Sequence, residues 1–208
     1  VCGSPEDDLS MSGRLADWTG RRVCAPRYRL APEHPFPAAT EDISAVYRYL
    51  SNQSPVIVVG ESAGGNLALN LTAPLALALL SPWVDLSKKE DTHVDPTLSV
   101  ECFLIPASSV YLGEEKPTNP AVSPIFADIP RGFPDTMIST GSRDLFCGDC
   151  KQLAEKLRER GVEVNLRVAE GMWHVFEWYP ELPEAAESLW DIVAFLKKYL
   201  STTEGQAE

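Results

Sequence analysis

Apolar positions along the chain alternate between two periods, and the alternation divides it into helices and strands. Asp8 to Trp18 reads as a helix, and Arg22 to Ala25 as a short buried strand. Pro32, Pro35 and Pro37 keep Tyr28–Ala39 out of helix and make it a defined loop. Ile43, Val46, Tyr47 and Leu50 then form a helical stripe across Thr40–Leu50. Val56–Val59 is a continuous β-branched run, and Leu75–Leu80 is a second apolar strand. Asp91 to Tyr111 is mixed with a helix near its end, and Asn119–Pro134 is a proline-rich loop. Thr136–Thr140 is a strand, and Lys151–Arg160 is an amphipathic helix stopped by Gly161. In Val162–Val168 apolar and polar residues alternate strictly, as in a half-exposed strand at a sheet edge. Glu184–Leu200 is the closing helix. The order predicts an α/β fold with a mostly parallel sheet covered by helices on both faces.

The Val56–Val59 strand ends in Gly60-Glu61-Ser62-Ala63-Gly64-Gly65, and good helix formers follow. Strand, Gly-x-Ser-x-Gly and helix in that order make a nucleophile elbow. Ser62 is predicted to sit on a strained turn, with Gly60 and Gly64 spared a Cβ that would collide as strand and helix close together. The Ala63 N–H, at the helix N-terminus, is then a candidate oxyanion donor. Chance also produces this short pattern, and an ordinary glycine-rich turn would read the same way.

Composition narrows the choices. The chain has 208 residues, 44% of them hydrophobic, enough for one domain with a real core. A net charge of −12 argues against a nucleic-acid partner. The five cysteines are odd in number and scattered. Cys147 and Cys150 form a Cys-x-x-Cys pair without a second pair or a thioredoxin-like setting, so they read as ordinary thiols. No apolar run is long enough to span a membrane and no signal peptide is visible, which gives a cytoplasmic expectation.

A serine nucleophile needs a base, and the base needs an acid to fix its tautomer. His34 lies in the proline-rich loop and suits a structural hydrogen bond, while His93 stands among polar residues and looks solvated. His174 follows the Val162–Val168 strand, at the sheet end where the elbow lies. An aromatic-cluster histidine would share its Trp173 and Phe176 neighbours, but the position favours catalysis. Asp144 follows the Thr136–Thr140 strand and is the candidate acid; Asp149 is its rival, better suited to starting the next helix. The order Ser62, Asp144, His174 is that of a hydrolase triad. Trp83, Trp173, Phe176 and Trp178 line an apolar pocket or pack in the core or on the surface.

YRLAPEHPFPAA (Tyr28–Ala39), GESAGG (Gly60–Gly65), SPWVDL (Ser81–Leu86), SPIFA (Ser123–Ala127), GSRDL (Gly141–Leu145) and GMWHVF (Gly171–Phe176) together resemble the hormone-sensitive-lipase-like, family IV branch of the α/β-hydrolases. The resemblance implies hydrolysis of short- to medium-chain carboxylic esters without metal or cofactor. It places Ser62 as nucleophile, His174 as base and Asp144 as acid. A lactonase or deacetylase with the same triad, or a non-catalytic ligand-binding or truncated relative, are the alternatives. Retention of His174 favours an enzyme over a binding protein.

Two departures from the family pattern stand out. Glu61 replaces the Asp usual at its position, and the family's His-Gly-Gly-Gly oxyanion loop is not in the sequence. Val1–Glu6 resembles the segment just after that loop, and the returns near 51–56 and 71–76 are short. The expectation is a catalytic domain over residues 1–200, lacking residues before 1 and at both returns, with a polar tail over 201–208. Apart from Ala63, its oxyanion donors would then lie outside these residues. A homodimer paired through the 162–168 edge strand is also expected.

Overall fold

The computed structural model describes residues 1–87 and 95–204. Its centre is a four-stranded sheet in the order β1 (Ile57–Glu61), β2 (Ala76–Leu80), β3 (Thr136–Gly141), β4 (Val164–Ala169). Every neighbouring pair is parallel. In register, Glu61 lies beside Leu80, Leu80 beside Ser139, and Gly141 beside Ala169.

All five residues of β2 are buried, and they divide between two cores. Leu77 and Leu79 face one core with Ile138, α3 (Ser62–Leu69) and α5 (Cys147–Glu159). Ala76, Ala78 and Leu80 face the other with Met137, α1 (Leu9–Thr19) and α6 (Pro183–Glu204). A strand with helices on both faces has no solvated side, which is why it reads as an unbroken apolar run. α2 (Ala38–Ser51) packs near α3, and α4 (Ile105–Leu112) follows a π-helical turn at Val100–Leu104.

The predicted helices and the four strands from Val56 onward occur, with boundaries shifted by a few residues. β4 is an edge strand of this sheet, where its alternation placed it. Arg22–Ala25 is a correction. It is an exposed loop with no assigned strand, and Val23 is 44% exposed. No described strand lies alongside to accept its backbone groups, and an apolar pair without a ladder partner does not form a strand. His93 lies outside the described residues.

The glycines of the elbow divide the work differently from the prediction. A Cβ on Gly60 would come within 2.6 Å of the Gly64 carbonyl oxygen, so that approach does require glycine. A Cβ on Gly64 would meet nothing within 4 Å. The second close approach belongs to Gly65, whose Cβ would lie 2.7 Å from Pro82 Cβ. Gly64 points away from the strand, while Gly65 faces the loop after β2. The contrast is testable by thermal unfolding. Gly60→Ala is expected to lower Tm by about 4 °C or more, because the clash is with backbone. Gly64→Ala should leave Tm within about 2 °C or raise it, since alanine suits a helix interior better than glycine. Equal losses in both variants would contradict this packing.

Candidate active site

Each strand of a parallel sheet delivers its following loop to the same, carboxyl end. Here those loops carry Ser62 after β1, Ser81–Trp83 after β2, Asp144 after β3 and His174 after β4. Ser62, Ser81 and Val175 all hold left-handed backbone, with φ of 47°, 46° and 45°. Such conformations cost roughly 1–3 kcal/mol each and persist only where the surroundings fix them. All three stand at this end of the sheet.

Ser62 opens α3, directly after Glu61 in extended conformation. Its carbonyl accepts from the Trp83 N–H at 3.0 Å, tying the elbow to the loop after β2. Asn66, on the next turn of α3, donates to the carbonyls of Trp83 and Val122, each at 2.8 Å. The Ala63 N–H lies in the first turn of α3, where backbone donors point out of the helix.

Asp144 is fully buried. Its Oδ1 accepts from the Phe146 N–H at 2.9 Å and lies 3.2 Å from His174 Nδ1. Its Oδ2 accepts from Thr140 Oγ1 at 2.9 Å. Burial alone would raise the carboxyl, but the hydrogen bond and charge of His174, with the Phe146 N–H, outweigh it and hold Asp144 below its ordinary value. An ionised Asp144 can only accept, so Nδ1 of His174 is the donor, which in the neutral imidazole leaves the lone pair on Nε2. The rival Asp149 is buried in the first turn of α5, and it is Asp144 that meets His174. His34 is exposed in the proline-rich loop.

The loop carrying His174 is fixed from several sides. Gly141 lets it pass over the end of β3, since a Cβ there would stand 2.1 Å from the Met172 carbonyl oxygen. Arg143 N–H donates to that same oxygen at 2.9 Å. The Val175 N–H donates to Ser81 Oγ at 3.0 Å, and the His174 N–H to Asp95 Oδ2 at 2.9 Å. The imidazole meets Phe146 edge-on with centroids 5.0 Å apart, and Phe146 stacks on Trp83 at 5.6 Å. Sequence reasoning missed Asp95 and Ser81 in these roles. Asp95 lies 79 residues from His174, and nothing local marks it. Phe176, a candidate pocket residue, is core: it is fully buried with Ala169 and Ala185. Trp178 is 52% exposed, and its indole N–H donates to Glu61 Oε2 at 2.7 Å.

Cys147 and Cys150 are buried and not joined in a disulfide, and burial pushes the Cys150 thiol well up. Among the described residues no group of three or more His, Cys, Asp or Glu side chains could hold a metal ion. No described helix is long and apolar enough to cross a membrane.

Another buried carboxyl, Glu177, sits between β3 and α6. Its Oε1 accepts from Ser139 Oγ at 2.5 Å and from Ser188 Oγ at 2.8 Å. Its Oε2 has no hydrogen-bond partner among the described residues.

The profile of the alpha/beta hydrolase fold matches residues 1–178. An esterase of Acinetobacter venetianus is 32% identical over 212 residues, covering 93% of this chain and 70% of that protein. An acetyl-hydrolase of Streptomyces hygroscopicus is 33% identical over 223 residues, covering 98% and 73%. The crystal structure of an esterase/lipase from an uncultured bacterium superposes with a TM-score of 0.88 at 30% identity, over 97% of this chain and 73% of the other. That of a hormone-sensitive lipase from a metagenome library gives 0.87 at 33% identity, over 96% and 74%.

Burial pushes the Glu177 carboxyl up, against the lowering effect of its Ser139 and Ser188 hydrogen bonds. The folded protein therefore keeps a proton that the unfolded chain releases above the ordinary Glu value of about 4.3, so stability falls as pH rises through that window. Glu177→Gln removes the titration while keeping the shape of the neutral acid. The Tm of the variant minus that of the wild type should grow more positive from pH 4 to pH 7 in thermal melts. A difference independent of pH would show that the Glu177 pKa is the same in the folded and unfolded protein.

Proposed function

Because this chain belongs to the hormone-sensitive-lipase-like branch of the α/β-hydrolases, we propose that it is a serine carboxylesterase acting on short- to medium-chain esters, with Ser62 as nucleophile, His174 as base and Asp144 as acid. The observation that carries the reading is the contact between buried Asp144 and His174 Nδ1 at 3.2 Å, at the sheet end where Ser62 stands on its strained turn.

The chemistry proceeds by two acyl transfers. His174 Nε2 takes the Ser62 Oγ proton as the oxygen bonds to the ester carbonyl carbon. The carbonyl π electrons move onto oxygen, where the Ala63 N–H and the α3 dipole stabilise the charge. Collapse breaks the bond to the alkoxy oxygen, which leaves with the proton from His174, and the acyl group stays on Ser62. Water then attacks the acyl carbon, giving its proton to His174, and Ser62 departs with that proton as the free acid is released. Asp144 holds the imidazole in the required tautomer throughout and stabilises its transient positive charge. The acetyl-hydrolase of Streptomyces hygroscopicus supports the short-acyl end of the proposed range.

A fluorophosphonate should label wild-type protein on the peptide containing Ser62. Ser62→Ala should take no label and lose on the order of 10⁴-fold or more in kcat on p-nitrophenyl butyrate. Persistent labelling in Ser62→Ala would falsify the nucleophile assignment. Across p-nitrophenyl esters from acetate to palmitate, kcat/KM is expected to peak at eight carbons or fewer, and a maximum at palmitate would overturn the chain-length part.

The edge position of β4 supports a second reading, of assembly. Backbone groups on its outer side can pair with the same strand of a second copy along residues 162–168. Light scattering at micromolar concentration should give twice the chain mass; a monomer mass counts against pairing.

A further inference from the structure

Among the described residues β1 and β4 are the two edges of the sheet, so a loop that carries His174 from β4 toward the Ser62 end of β1 crosses the ends of β3 and β2. Its attachments follow that path. His174 meets Asp144 after β3, and Val175 meets Ser81 after β2. The last attachment is the Trp178 indole N–H on Glu61 Oε2, 2.7 Å long and bridging 117 residues. Glu61 closes β1 and is bonded through its own backbone to Ser62. Trp178 ends the 3-10 turn Phe176–Trp178, four residues beyond His174. This is a side-chain bond from the far end of the histidine loop to the strand that carries the serine.

We propose that Glu61 and Trp178 form a clasp that positions the His174 loop over the nucleophile elbow, making both of them positioning residues for the ester hydrolysis. The proposal rests on the assignment of Ser62 and His174 above. Three features of the geometry support it. Trp178 is 52% exposed, so burial of its ring does not by itself fix this end of the loop. Only three residues separate Trp178 from His174, Val175 with φ 45° and the first two of the short 3-10 turn. Glu61 also has the reach that the bond uses, being one methylene longer than Asp.

The setting of Glu61 makes the clasp sensitive to protonation. Asp8 ahead of α1, Glu177 in the 3-10 turn and Tyr28 in the proline-rich loop act on its carboxyl electrostatically, and all three are acids. Burial first, then Asp8, push the Glu61 carboxyl up to about 7, against the lowering hydrogen bond from Trp178. Above that pH the indole donates to a carboxylate, the stronger arrangement; below it, to a neutral acid.

Steady-state kinetics and indole NMR together test the clasp. Glu61→Ala and Trp178→Phe should each lower kcat roughly tenfold with KM within about twofold, as expected of a small displacement of the base. The double variant should lose about as much as either single one, because both remove one bond. Glu61→Gln keeps the reach and an acceptor oxygen, so its loss should be smaller than that of Glu61→Ala. The Trp178 indole N–H resonance, assigned by its disappearance in Trp178→Phe, should shift with a midpoint of about 7 in the wild type and lose that titration in Glu61→Gln. Additive losses in the double variant, or a Trp178 resonance indifferent to Glu61, overturn the clasp. Ser62→Ala is the control for the underlying assignment. If it is inactive and the single variants are additive, the clasp alone fails. If it stays active, the nucleophile assignment fails, and the catalytic part of the clasp with it.

Discussion

Everything at this site answers to one distance. The strand that presents Ser62 and the strand that precedes His174 are opposite edges of a four-stranded sheet. With parallel neighbours about 4.8 Å apart, they stand roughly 14 Å from one another. The loop that carries His174 is therefore laid across the ends of the two intervening strands, meeting Asp144 after β3 and Ser81 after β2. Gly141 gives that loop room, because any side chain there would occupy the Met172 carbonyl. Ser81, Asp95 and Asp144 then hold it by bonds to Val175 and His174. The left-handed backbone of Val175 is a local penalty that these bonds offset.

Three carboxyl groups near this crossing meet different surroundings and behave differently. Asp144 is buried but faces His174 and a backbone N–H, and its pKa is held low. Glu177 is buried against two neutral hydroxyls and is pushed up. Glu61 is bonded to one indole N–H and surrounded by acids. Burial pushes all three carboxyls up, and only at Asp144 do the contacts with His174 and the Phe146 N–H outweigh it. The same contrast leaves Asp144 an acceptor facing His174, while Glu177 fills a packed polar niche with Ser139 and Ser188.

Much of this is legible in the sequence. The elbow is local, its strand and helix adjoining Ser62 directly, so periodicity and glycine spacing reveal it. That Asp144 and His174 meet could be expected because each follows a recognisable strand, and parallel strands bring their following loops to one end. Arg22–Ala25 misled because its short apolar stretch is no evidence of a neighbouring strand. Gly64 misled because spacing alone does not tell which glycine of a Gly-Gly pair faces the next loop; Gly65 does, against Pro82. The significance of Asp95 and Trp178 was hidden for a related reason. Their partners are 79 and 117 residues away, and no local pattern encodes a bond of that span.

The sequence by itself determined the alternation of strands and helices, the Gly-Glu-Ser-Ala-Gly elbow and the order in which serine, acid and histidine arrive, because each is a short-range pattern. Only the tertiary structure decided how the histidine loop is carried from one sheet edge to the other and which side chains fasten it. It also decided that Glu61 lies among acids, with the Trp178 indole N–H as its hydrogen-bond donor. Those outcomes depend on contacts between segments far apart in the chain, and such contacts are set by how packed layers bring strand ends together.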